Sequence, residues 1–127
     1  NRMFLLNVDL DIDSTDDLTP LLEAFEPHAY SLERPPGMAS FELNEPVSPN
    51  DPEALILAFV GLVNNLPPAA RQIWNGAAHR VFDIGIQSQR QPHQKTYRLS
   101  TSTLRAAADV GAEIAITVYA LVPPAEE

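Results

Sequence analysis

Residues 3–13 read MFLLNVDLDID. After an apolar start the polarity alternates. Val8, Leu10 and Ile12 point one way; Asn7, Asp9, Asp11 and Asp13 point the other. A period of two is that of a strand with one buried and one wet face. Such a strand needs neighbours to pair with and a layer to cover its apolar side. The rest of the chain must supply both.

Immediately downstream, Ser14 to Asp17 offers helix N-cap candidates and acidic first-turn residues, and Leu18, Leu21, Leu22 and Phe25 form a helical stripe. Pro20 fits the first helical position after Thr19. Residues 28–44 read as two strands joined by a turn, or one strand with an interrupted edge, broken at Arg34-Pro35-Pro36-Gly37. A Pro-containing connector over residues 45–50 leads to Asp51-Pro52-Glu53, a helix start with Asp51 at the N-cap. The helix that follows carries Leu55, Ile56, Leu57, Phe59, Val60, Leu62 and Val63, apolar nearly all round, and is expected to lie buried across a sheet. Pro67-Pro68 ends it. A further turn or two holds Trp74 and stops at Gly76, read as a C-terminal cap.

Residues 79–88 again alternate, with Phe82, Ile84 and Ile86 on one face and Val81, Asp83, Gly85 and Gln87 on the other. A polar loop over 88–95 precedes a short expected strand, Thr96 to Leu99. Ser100-Thr101 caps a helix that Gly111 ends, and residues 113–122, EIAITVYALV, form a last strand rich in β-branched and aromatic residues. Strand, Ser-Thr cap, short helix and strand thus occur twice, in units spanning 3–43 and 79–122 that flank a long buried central helix over 51–75. This order implies one domain of the α+β class: a single-layer mixed or antiparallel sheet with helices largely on one face, a ferredoxin-like variant.

The chain has 127 residues, enough for a core without covalent staples, and no cysteine, which excludes disulfides and thiolate chemistry. Cytoplasmic localisation fits that usage. No apolar run reaches membrane-spanning length; the longest, ALILAFVGLV, is of core length. The chain opens at Asn1, so residues are missing before it or Met3 is the native start. Eight basic residues face 17 acidic ones, a net charge of −9. Phosphate recognition needs clustered Lys and Arg, so nucleic acid and anionic membrane are poor partners. A basic protein surface suits this balance, because long-range attraction raises the encounter rate.

Chemical motifs are sparse. Asp9-x-Asp11-x-Asp13 has the spacing of an EF-hand opening. In that register, however, Ser14 stands where glycine is required and Pro20 where the closing glutamate belongs. No metal or cofactor is therefore expected. His28, His79 and His93 lie in separate segments without ligand spacing. There is no G-x-S-x-G elbow, and the Ser100–Thr103 hydroxyl run is read as capping. The 5 scattered glycines form neither a phosphate loop nor a dinucleotide fingerprint. Trp74 near a helix end is read as core. No catalytic residue is assigned.

The segments LPPAARQIWNGA, VFDIGIQS and YRLSTSTLRAAADVGAEIAITVYA, together spanning roughly Pro67 to Tyr119, resemble a bacterial family of uncharacterised domains found beside polymorphic toxin genes. The opening FLLNVDLDIDSTDDLTPLL is compatible with that family's first strand and helix. The resemblance implies an immunity protein and carries over no functional residue. Charge and resemblance together lead to one expectation: a non-enzymatic inhibitor that neutralises a cognate basic toxin domain through Asp9, Asp11, Asp13, Asp16 and Asp17. The loop over Gln87–Lys95 is the competing face. A small enzyme using carboxylates in a cleft, and a homo-oligomer built on exposed strand edges, are the alternatives.

Overall fold

The computed structural model describes residues 4–46, 48–90 and 94–121. Its elements run β1 (Phe4–Asp13), α1 (Thr19–Phe25), β2 (Ala29–Leu32), β3 (Met38–Leu43), α2 (Pro52–Asn64), α3 (Pro68–Gly76), β4 (His79–Gln87), α4 (Thr101–Asp109) and β5 (Glu113–Tyr119). The strands form one sheet in the order β2-β3-β1-β4-β5. β1 pairs antiparallel with β3 and β4, and β2 antiparallel with β3, while β5 joins β4 in parallel. The part β4-β1-β3-β2 has the order and directions of a ferredoxin-like unit. α4 then provides the crossover that a parallel β5 requires. The α+β expectation holds, with β1 as the central strand.

Alternation along the strands decides what is buried. Leu5, Val8, Leu10 and Ile12 of β1, Phe41 of β3, and Phe82 and Ile84 of β4 join residues from all four helices in one core cluster. Phe25 of α1 meets Phe41 edge-on at 5.0 Å between centroids, and Phe59 of α2 stacks on Phe82 at 5.9 Å. The helices therefore lie on one face, and among the described residues no helix covers the other, open face of the sheet. Among the described residues no helix is long and apolar enough to cross a membrane.

Local signals work as their chemistry predicts at two helix starts. The Asp51 carboxylate accepts from the Glu53 and Ala54 N–H groups at 3.0 and 3.4 Å, and Ser100 Oγ accepts from the Thr103 N–H at 3.3 Å. The Glu53 carboxylate accepts the Ser100 N–H, which joins the first turns of α2 and α4 and holds the carboxyl below its usual range. Gly111, at φ +77°, follows α4 in the left-handed conformation that an L side chain resists.

Four expectations need correction. The central helix is two helices, because the Pro67-Pro68 pair interrupts the run and restarts it as α3. α2 is buried on one side only: Leu57 is 45% exposed, since a two-layer fold covers one side of an outer helix. Thr96 to Leu99 is not a strand; Tyr97 and Leu99 instead pack as isolated side chains against the core. Gly76 is not a left-handed cap either; α3 ends at an extended Ala77 that leads straight into β4.

Trp74 is fully buried, and its Nε1–H donates to the Val110 carbonyl at 2.8 Å. Arg80 of β4 donates to the carbonyls of Trp74, Ala77 and Gly111 at 2.8, 3.1 and 2.9 Å, and its guanidinium lies 5.9 Å from the indole centroid. A cation at the carbonyl end of α3 is favoured by the helix dipole. Arg80 thereby binds the ends of α3 and α4 to the sheet and is committed to the structure.

Candidate binding surface: the open face of the sheet

Because β1 is central, its outward residues stand in the middle of the open face rather than along an edge. Asn7, Asp9, Asp11 and Asp13 all project there and are all half-buried by their neighbours across the strands. At about 3.3 Å per residue, Asp9 to Asp13 spans roughly 13 Å. The sheet then adds carboxylates from other strands. Asp83 of β4 lies directly opposite Asp9 in the β1–β4 register. Glu42 of β3 is one residue beyond the Leu10–Phe41 pair, on the same side as Asp9.

The neighbouring hydroxyls orient this group. Ser40 Oγ donates to Asp11 Oδ1 at 2.7 Å, Thr117 Oγ1 to Asp83 Oδ1 at 2.8 Å, and the Tyr30 hydroxyl to Glu42 Oε1 at 2.8 Å. The same bond to Glu42 raises the Tyr30 pKa. Each donor is neutral, so the carboxylates are held in place without being neutralised. Among the described residues the close contact between a basic and an acidic side chain is that of His79 Nδ1 with Glu113 Oε1, 3.7 Å apart at the end of the face.

Asp9 is the centre of the cluster and differs from the rest. Burial pushes its pKa up to about 7, and the charges of Glu42, Asp11 and Asp83 add to that, against the opposing effect of Arg34. Its Oδ1 is enclosed and has no hydrogen-bond partner. The Arg34 guanidinium itself donates to the Glu33 carbonyl. Near neutral pH Asp9, at the middle of the cluster, is therefore partly protonated.

Of the five aspartates read from the sequence, the fold brings Asp9, Asp11 and Asp13 together and leaves two apart. Asp16 and Asp17 lie in the connection to α1, both exposed. Asp17 accepts from the Thr19 N–H at 3.0 Å and from the Thr19 hydroxyl at 2.7 Å, which lowers its pKa and fastens the helix start. Leu18, not Asp17, occupies the N-cap position. Glu42 and Asp83 were not singled out. The alternation of β4 placed Asp83 on a wet face, but only the strand order places that face beside Asp9.

The competing loop over Gln87–Lys95 lies partly outside the described residues, as does His93. Within it, Gln87 Nε2 donates to the Ala120 carbonyl at 3.0 Å, and Lys95 Nζ lies 5.8 Å from the Tyr97 ring centroid.

Among the described residues no three His, Asp or Glu side chains are arranged to hold a metal ion. One recess of about 340 Å³ lies beside α1, lined by Leu22, Glu23, Glu26, Tyr30 and Phe41, and another of about 330 Å³ by His28, Leu43, Glu45 and Leu62. Neither contains Asp9, Asp11 or Asp83; a third, of about 190 Å³, is lined in part by Asn7 and Glu42 at the end of the open face. Comparison with family models, curated proteins and solved structures finds no match to this chain.

Proposed function

We propose that this chain is a binding protein without chemistry of its own, and that the open face of its sheet receives a basic protein partner. One observation carries the reading: Asp9, Asp11, Asp13, Glu42 and Asp83 share that face, three of them (Asp11, Glu42 and Asp83) oriented by neutral hydroxyls, and, among the described residues, none is paired with a lysine or arginine. Like charges held together cost stability in the free protein. An approaching Lys or Arg removes that cost, so part of the binding free energy comes from relief of repulsion. The net charge of −9 draws the same partner from a distance.

In its specific form, the proposal is an immunity-type inhibitor that acts in the cytoplasm on a cognate toxin domain. The toxin is taken to be an enzyme that handles an anionic substrate, such as a nuclease. A row of carboxylates then imitates the substrate's charge across the toxin's basic active site. The family resemblance of residues 67–119 supports this form.

The test looks beside the gene for an encoded basic toxin domain, whose absence would remove the specific form, and uses that domain as the partner. Association of the wild-type chain should be fast and should slow steeply with added salt. The triple variant Asp9→Asn, Asp11→Asn, Asp13→Asn should fold and associate at least tenfold more slowly, because rim and steering charges act mainly on the on-rate. An unchanged on-rate would reduce the aspartates to solvated surface.

A further inference from the structure

The two edges of the sheet are built differently. β2, at one edge, has four residues and is followed closely by Pro35-Pro36. β5, at the other, has seven residues, EIAITVY, with no proline or glycine and a single charge at its first position. Natural edge strands are usually blunted by proline, lysine or short length. β5 has none of these protections.

Its backbone geometry shows which groups face outward. The Tyr119 carbonyl accepts from the Ser88 N–H at 3.0 Å, on the β4 side. N–H and C=O of one strand residue point the same way and alternate along the chain. Residues 113, 115, 117 and 119 therefore bond to β4, and the N–H and C=O groups of Ile114, Ile116 and Val118 point outward from the edge. The side chains of these same three residues lie on the helix side of the sheet, in register with Phe82, Ile84 and Ile86. There Ile116 is 62% and Val118 60% exposed. α4 seats Thr103 and Ala107 in the core, yet it does not cover this end of β5.

We propose that this edge pairs with a second copy of the chain, β5 antiparallel to β5 about a two-fold axis normal to the sheet at Ile116, giving one continuous sheet. The strand's own pattern selects the occupant: each copy carries −9, but β5 past Glu113 is uncharged, so pairing there covers the exposed Ile116 and Val118 without setting carboxylates face to face. In this register Ile116 faces its own counterpart, Ile114 faces Val118, and Glu113 faces Tyr119. The two Glu113 carboxylates fall at opposite ends of the ribbon, roughly 20 Å apart at about 3.3 Å per residue. A basic partner finds one carboxylate along this strand, whereas the open face offers it a cluster. The axis keeps both helix layers on one side and both acidic faces on the other, so the pair presents a doubled acidic surface. The inference stands on β5 alone and is independent of the docking proposal.

Sedimentation of the full chain over a wide concentration range tests it. The mass should move from 13.9 kDa toward twice that value. Added salt should favour the dimer, because screening weakens repulsion between two acidic chains. Ile116→Lys should raise the dimer dissociation constant at least tenfold, whereas Leu57→Lys, on the exposed side of α2, should leave it unchanged. Val118→Lys serves if Ile116→Lys does not fold, with buried Trp74 emission as the folding control. Amide exchange at Ile114, Ile116 and Val118 should slow as concentration rises. A monomer at every concentration, a dimer dispersed by Leu57→Lys and not by Ile116→Lys, or exchange independent of concentration would each overturn it.

Discussion

Asp9 is the residue on which the charge state of the open face turns. Its pKa of about 7 in the fold exceeds the ordinary 3.8, so the folded chain holds a proton that the unfolded chain releases. The associated stability is present in full below about pH 4 and is lost as pH rises toward and through 7. Asp9→Asn should remove this loss. At pH 8 the variant should be more stable by roughly 1–2 kcal/mol, a figure reduced for solvent screening because the side chain is only half-buried. At pH 4 the two proteins should unfold at similar urea concentrations. A cation docking on Asp11 and Asp83 should lower the Asp9 pKa, so partner binding near pH 7 should release protons. Calorimetry in buffers of different ionisation enthalpy reads that release, and Asp9→Asn should reduce it. In the core, Trp74→Phe keeps most of the apolar area but leaves the Val110 carbonyl without its donor. A buried acceptor left in this way costs about 1–3 kcal/mol, measurable by urea denaturation.

For the elements, the strongest local signals are the caps and turns that the chain spells out. Asp51→Ala removes the acceptor for two N–H groups at the start of α2 and should cost about 1 kcal/mol in chemical denaturation. Gly111→Ala should cost more than the usual glycine replacement. The position has φ +77°, and an added Cβ would lie 3.1 Å from Arg80 Nη2, within the guanidinium that joins α3, α4 and β4. These features were legible because each depends on residues close in sequence. The failures have the opposite character. Thr96 to Leu99 alternates like a strand, but nothing within the segment shows that no strand pairs with it. The apolar run of α2 reads as buried all round, but how much of it is covered depends on the number of layers above it. Gly76 has the residue type of a cap and not its conformation, because the chain needs an extended exit into β4.

At the scale of the whole molecule the sheet order creates the candidate surface. With β1 between β3 and β4, Asp83 and Glu42 come to flank Asp9, two carboxylates from segments about 40 residues apart in sequence. The two proposed contacts should respond to salt in opposite directions. Docking of a basic partner on the open face weakens as salt rises, and pairing of β5 edges strengthens. Measuring both on one preparation separates them, since Asp9, Asp11 and Asp13 lie on the central strand and Ile116 on the edge.

What the amino-acid sequence determined by itself is most of the strands and helices, the caps at Asp51 and Ser100, the sign of the charge, and the wet side of β1. All of these follow from periodicity or from bonds between near neighbours, which the backbone repeats of helix and strand translate directly into structure. The tertiary structure alone decided which strands lie beside β1, which carboxylates gather around Asp9 and raise its pKa, and that β5, among the described residues, is an edge strand. Those outcomes depend on contacts between distant segments, and electrostatic energy and exposure are properties of the assembled neighbourhood rather than of any stretch of chain.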